Sequence, residues 1–218
     1  DYINHIKDVG FDSMMFVGAS GVSSWTQEKA DRAYMDIAEH FLNEIRQGRI
    51  FKETLIMKSI LLKLGLDKIA IGPCGVGRSM FGITTDGKVL PCEHPETWEK
   101  DYCLGNVFDK TINEELRKPF INYTQKDVIG CKDCIARSLC NGACPQLNYR
   151  YNKDLKIPYL LDCLWKRAKY KAVTLIYNEL YVREKNPVFI RWALKEKLWP
   201  VIRDWTRELF IDELDIYP

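Results

Sequence analysis

Between Trp25 and Gln47 the apolar residues Ala30, Ala33, Tyr34, Ile37, Phe41 and Leu42 recur at steps of three and four, the spacing that lines up one face of a helix. Ser24, with Gln27 three positions on, makes a capping-box start, so the pattern predicts a helix over roughly 25–47. A second helix is predicted over 53–64, stopped by Gly65. Shorter and denser apolar runs flank this pair. Met14, Met15, Phe16 and Val17 form a run of strand length after residues that read as the tail of a helix, and "KIAIG" at 68–72 reads as a second short strand. Alternation of strand and helix across 1–72 predicts an α/β fold: part of a parallel sheet or barrel whose remaining units are not in this sequence. The chain opens on Asp1 rather than Met, in what reads as mid-domain. An N-terminal part is therefore expected to precede Asp1 in the full-length protein, with a natural short form as the alternative.

The pattern changes at residue 73. "FGITTDGKVLPC" alternates on either side of Asp86-Gly87, a two-residue hairpin signal. Further on, Leu164, Ala168, Ala172 and Ile176 follow the helical period within 160–183. Pro187 suits the first turn of another helix carrying Trp192, Trp199 and Trp205, kinked or split at Pro200. This aromatic stripe reads as packing, with a docking surface for a leader peptide as the lesser reading. The sequence thus divides into 1–72, 73–165 and a helical extension 166–218.

Composition narrows the functional classes. With 218 residues, 46% of them hydrophobic, the chain can bury a core without disulfide staples. A formal charge of +2 from 32 basic and 30 acidic residues provides no net pull towards nucleic acid or a membrane surface, so neither is expected as a partner. Apolar runs fall well short of the ~20 residues a bilayer span needs, and no leader opens the sequence; a soluble, cytoplasmic protein is the expectation.

Cysteine usage carries the chemistry. All eight cysteines lie between Cys74 and Cys163. Core-filling cysteines would be scattered over both halves. Cys131, Cys134, Cys140 and Cys144 are spaced C-x2-C-x5-C-x3-C, and Gly142 permits the tight backbone that returns Cys144 to the others. Cys74 and Cys92 flank the hairpin as C-x12-G-x4-C, so folding the hairpin brings them together. Disulfides, zinc and iron-sulfur clusters compete for this set. Reduced thiols are favoured without a secretory leader. Zinc ribbons generally show two C-x2-C knuckles where this run has one, and thiolates binding separate corners of a cluster tolerate irregular spacing better.

Taken in order, the array C-x12-G-x4-C, C-x2-C-x5-C-x3-C and a final Cys163 resembles the SPASM domain of radical S-adenosylmethionine enzymes, as do "CGVGR" after Cys74, "DGKVLPC" and "LGNV" at 104–107. The resemblance covers about 73–165. It implies two auxiliary 4Fe-4S clusters with interleaved ligands: Cys74, Cys92 and Cys144 for the first, and Cys131, Cys134, Cys140 and Cys163 for the second. Cys103 is a candidate fourth ligand of the first; otherwise that site is open to a substrate atom. Glu93, following Cys92, stands where sulfatase-maturing relatives have an Asp proposed as general base, against the plainer reading of a solvated loop residue. His94 reads as a loop residue.

The resemblance also implies an upstream barrel in which a C-x3-C-x2-C loop holds a third 4Fe-4S cluster and S-adenosylmethionine, with 1–72 as its last units. This sequence has no such loop: Cys140 and Cys144 have the first spacing, but Leu147 stands where the third cysteine would fall. The residues here are accordingly expected not to cleave S-adenosylmethionine alone. The implied activity of the full-length protein is oxidative modification of a peptide or protein side chain, as a thioether, a carbon-carbon crosslink or a formylglycine, with an electron donor such as a flavodoxin or ferredoxin. A stand-alone two-cluster electron-transfer module and a zinc-stabilised interaction domain are the alternatives.

Overall fold

A computed structural model describes residues 2–11, 13–21, 24–50, 53–66, 74–140 and 142–195. In chain order its elements are α1 (Tyr2–Asp8), α2 (Gln27–Arg46), α3 (Thr54–Lys63), β1 (Gly82–Ile83), β2 (Lys88–Leu90), α4 (Pro95–Trp98), β3 (Gly105–Asn106), β4 (Thr111–Ile112), α5 (Glu114–Ile121), α6 (Pro145–Asn152) and α7 (Leu160–Ile176). The fold is mixed α/β, with one small antiparallel sheet in the order β1-β2-β3-β4. No helix among the described residues is long and apolar enough to cross a membrane. The chain separates into two compact units, one of 1–68 with 167–218 and one of 69–166.

In the first unit Thr26, not Ser24, caps α2: its Oγ1 accepts the N–H of Lys29 at 3.3 Å. Gln27 turns away from capping and donates to Asp31 at 2.8 Å. Ala30, Tyr34, Ile37, Phe41 and Leu42 are buried as the helical period requires, and the edge of Trp192 meets the Phe41 ring at 6.4 Å between centroids. Beside them are buried Ile56 and Ile60 of α3 and Ala168, Ala172, Val173 and Ile176 of α7. Polar contacts rim this core: Arg167 donates to Gln27 at 3.0 Å, Lys171 pairs with Asp31, and the Lys63 ammonium lies 5.4 Å from the Tyr170 ring centroid. After Ile176 the helix continues as a π-helical stretch over Tyr177–Arg183. Residues 187–195 are helical again, with Pro187 in the first turn and Asn186 accepting the Phe189 N–H at 3.1 Å. The expected strand at 68–72, Trp199, Pro200 and Trp205 lie outside the described residues.

The run 14–17 is not the buried strand its hydrophobicity suggests. Among the described residues Met14 makes one isolated parallel bridge, to Glu53; α3 begins at the next residue of that partner segment, and the Phe16 N–H goes to the Glu53 carboxylate at 2.9 Å. Met15 and Val17 are left 58% and 70% exposed. Glu53 also caps α3 by accepting the Ile56 N–H at 2.5 Å, and burial pushes its carboxyl above the usual range against these two donors and nearby Lys169.

In the second unit β1 and β2 form the expected hairpin, pairing Gly82 with Leu90 and Ile83 with Val89. Its turn is longer than two residues. Thr84 N–H donates to Lys88 O at 3.0 Å and Gly87 N–H to Thr84 O at 2.9 Å, with Gly87 alone at positive φ (+84°), the pattern of a three-residue loop ending in a glycine bulge. Asp86 keeps a right-handed backbone there and accepts from the Thr84 hydroxyl instead. The core beneath the sheet is Val76, Leu90, Cys92, Trp98, Phe120, Tyr123, Val128 and Leu155. Trp98 is its centre, stacked on Tyr149 at 5.5 Å and met edge-on by Phe120 at 5.5 Å and Tyr102 at 5.8 Å.

One ion cluster makes the first unit acid-sensitive. Glu44 is nearly buried and binds Arg49 at 2.6 Å and Lys7 at 2.5 Å. The Arg49 guanidinium, helped by Lys7 and opposed by burial, holds its carboxyl down at about 2. A depressed folded-state value contributes stability above the ordinary value of 4.5 and loses it as pH falls towards about 2. Glu44→Gln should therefore cost on the order of 1–3 kcal/mol at neutral pH, a difference that denaturant melts at stepped pH should show vanishing across that acid window.

Candidate metal centre

The thiol set is assembled by turns that only particular backbones can make. Gly75 (φ +80°) and Gly77 (φ +62°) coil the chain after Cys74, and Gly77 N–H donates to Pro91 O at 2.9 Å, drawing this loop against the end of β2 next to Cys92. A Cβ on Gly77 would stand 2.6 Å from the Phe120 Cβ, so this position requires glycine for space as well as for conformation. Gly142 (φ +95°), as the spacing of its neighbours suggested, turns the chain between Cys140 and Cys144.

None of the eight cysteines is paired in a disulfide. Cys74 lies within electrostatic reach of both Cys92 and Cys144, although it is far from each in sequence. Cys131 is within reach of Cys134 and Cys140, and the five residues Ile135–Leu139 between the last two form a 3-10 helix. Cys163 stands in the first turn of α7, half-buried, directly after Asp162, whose carboxylate accepts the Cys144 N–H at 3.1 Å. Among the described residues no three Cys, His, Asp or Glu side chains converge closely enough to hold a single metal ion. These sulfurs are gathered without being drawn to one point.

Their surroundings suit thiolate. Burial pushes the Cys92, Cys131 and Cys144 thiols above the ordinary value, so without a cation they stay protonated at neutral pH. Yet N–H donors already face two of the sulfurs. The Trp98 indole donates to Cys92 Sγ at 3.0 Å and the backbone of His94 also favours the Cys92 thiolate. Cys144 precedes α6, whose Gln146 and Leu147 N–H groups do the same for its sulfur. A soft, multiply charged iron centre would ionise such thiols, and these donors would hydrogen-bond the resulting ligands. The donor set fits iron-sulfur ligation.

A buried polar network fixes the backbone between the two thiol groups. Tyr123 donates to Gly142 O at 3.1 Å and accepts from Asn148 at 3.3 Å; Asn148 in turn donates to Leu155 O at 3.0 Å and accepts the Tyr159 N–H at 2.9 Å. The phenol lies within reach of Cys131, Cys140 and Cys144 together, and burial raises its pKa strongly. Gln125 donates to the carbonyls of Arg137 and Cys140 from the other side.

Of the remaining sequence candidates, Cys103 packs against the Trp98 core and points its thiol at Gly105 O at 3.6 Å. Glu93 is exposed, and its charge bears on Cys92. His94 precedes α4 and lies 3.3 Å from Glu96. Trp98, Tyr123, Asp162 and Lys166 did not emerge from the sequence. For the last two a signal was present, an acid-lysine pair at i,i+4 flanking Cys163.

Comparison with known proteins agrees with this chemistry. Residues 74–144 match the SPASM family, an iron-sulfur cluster-binding domain. Over those residues the chain is similar to the SPASM domains of that family. No curated protein matches it. Among solved structures it resembles hexahistidine-tagged anSMEcpe with bound AdoMet, at a TM-score of 0.58 and 17% identity over 88% of this chain. That likeness establishes a shared fold, and the chain spans about half, 52%, of that protein's length.

Tyr123→Phe should cost roughly 1–2 kcal/mol in unfolding free energy, because Gly142 O loses a buried donor. Far-ultraviolet dichroism during urea unfolding measures it, and an unchanged midpoint would remove Tyr123 from the support of this loop.

Proposed function

We propose that this chain is the auxiliary-cluster portion of a radical S-adenosylmethionine enzyme that modifies a peptide or protein side chain. In this reading Cys74, Cys92 and Cys144 hold one 4Fe-4S cluster, and Cys131, Cys134, Cys140 and Cys163 hold a second. The observation that carries it is the match of 74–144 to an iron-sulfur cluster-binding domain, coinciding with thiols from remote positions brought into electrostatic reach of one another. The fold shared with an AdoMet-bound protein supports placing 1–68 in the S-adenosylmethionine-binding half of such an enzyme. Cleavage of S-adenosylmethionine requires the C-x3-C-x2-C loop and third cluster, which the present residues do not supply.

Bound clusters supply one-electron transfer, over potentials that ligands and burial set between about −700 and +450 mV. The chain's own residues do the rest. Trp98 and the N-terminal amides of α6 hold and hydrogen-bond the sulfurs, and the aromatic core behind Cys92 keeps water from that side. Cys103 is the one cysteine left unassigned and so the candidate fourth ligand of the first cluster; without it, that cluster would keep a corner open to substrate. Glu93, exposed beside Cys92, is the carboxylate assigned to take a substrate proton. A flavodoxin- or ferredoxin-class donor would deliver the electrons.

The decisive experiment is anaerobic purification with iron, sulfide and zinc analysis. About eight irons and eight sulfides per chain are expected from these cysteines, with more if the full-length protein brings a third cluster, and Cys134→Ala should lower iron by about four. Colourless protein with zinc and no labile sulfide would replace this reading with a zinc-stabilised domain.

A further inference from the structure

In the first turns of α7 a charge pair, Asp162 and Lys166, flanks Cys163. Asp162 and Lys166 are one helical turn apart, with 3.7 Å between Nζ and Oδ1. The other oxygen of Asp162 accepts the N–H of Cys144. Asp162 is therefore fastened to the first thiol group, and it carries Lys166 with it. Lys166 is also within electrostatic reach of Cys140, of the second group, as well as of Cys144. Resting on the two-cluster reading above, we infer that Lys166 and Asp162 are a tuning pair for the reduction potentials of the clusters, the ammonium favouring the reduced state and the carboxylate opposing it.

Each one-electron reduction adds one negative charge to a cluster without breaking or making a bond. A fixed cation nearby stabilises that added charge and a fixed anion destabilises it, and both effects are strengthened by a partly buried setting. Burial pulls the Lys166 pKa down, but its ion pair with the Asp162 carboxylate leads the opposing effects and the net direction is up. A lysine kept only for surface solubility would not be tied by its partner to the backbone of a candidate ligand.

The test is a dithionite titration of the anaerobically purified protein, followed by electron paramagnetic resonance, with iron and sulfide measured on each variant. Lys166→Gln should shift at least one cluster midpoint to more negative potential, Lys166→Arg should leave it near the wild-type value, and Asp162→Asn, which keeps an acceptor for Cys144, should shift it to more positive potential. Opposite signs for the two charge removals are the signature, since a merely structural role would move both in one direction or neither. Fully loaded variants with unchanged midpoints, or with shifts of the same sign, overturn the inference. Should Lys166→Gln lose iron, Lys166→Met is read in its place; loss of iron from both assigns Lys166 to assembly and also overturns it. Wild-type protein without iron and sulfide defeats the two-cluster reading instead, so the two failures are distinguishable.

Discussion

Neutral thiols have no attraction that would collect them from distant parts of a chain, and burying them makes their useful, ionised form harder to reach. Everything at the cysteine-rich unit follows from how the protein meets that constraint. An uncharged aromatic core does the collecting: Trp98, held by Tyr149, Phe120 and Tyr102, backs Cys92 and donates its indole N–H to the sulfur. Backbone amides at the start of α6 do the same for Cys144. The cost of desolvating these two sulfurs is thus partly offset before any metal arrives, and the arriving metal need only displace protons.

The surrounding polar groups are arranged around the same demand. Tyr123 and Asn148 form a closed set of buried hydrogen bonds whose purpose is to hold a carbonyl, that of Gly142, in the turn between two ligand candidates. Buried networks of this kind are worth little when half satisfied and hold a unique conformation when complete. Here every member named has a partner, so the Cys140-to-Cys144 segment is held at a set geometry although it contains little regular structure.

Much of this was legible from residue order. The helical faces of α2 and α7 and the glycine stop after α3 are local signals, and the structure reproduces them. The thiol array was legible because metal chemistry restricts residue type and spacing so severely. What escaped were effects that depend on a competing partner. Thr26 displaced Ser24 as a cap although both are good acceptors, and it is the Thr26 hydroxyl that takes the Lys29 N–H. The apolar run at 14–17 makes one isolated bridge, to Glu53, because its partner segment turns into α3 at Thr54, and the Glu53 side chain takes the Phe16 amide. Asp86-Gly87 has the residues of a two-residue turn, yet Asp86 finds the Thr84 hydroxyl and leaves only Gly87 in the left-handed region. Trp98 and Tyr123 could not be told from ordinary core aromatics, since their roles lie in where one polar atom points.

The two thiol groups differ in how much polypeptide each must enclose. Three candidates of the second group, Cys131, Cys134 and Cys140, lie along one short stretch with a 3-10 segment and only Cys163 is further on, whereas the hairpin, the whole four-stranded sheet and two helices separate Cys74 from Cys144. Closing a long loop forfeits more chain entropy than closing a short one and has to wait for the contacts that reward it. Bringing Cys74 up to Cys144 therefore forfeits more chain entropy than gathering Cys131, Cys134 and Cys140 along their short stretch.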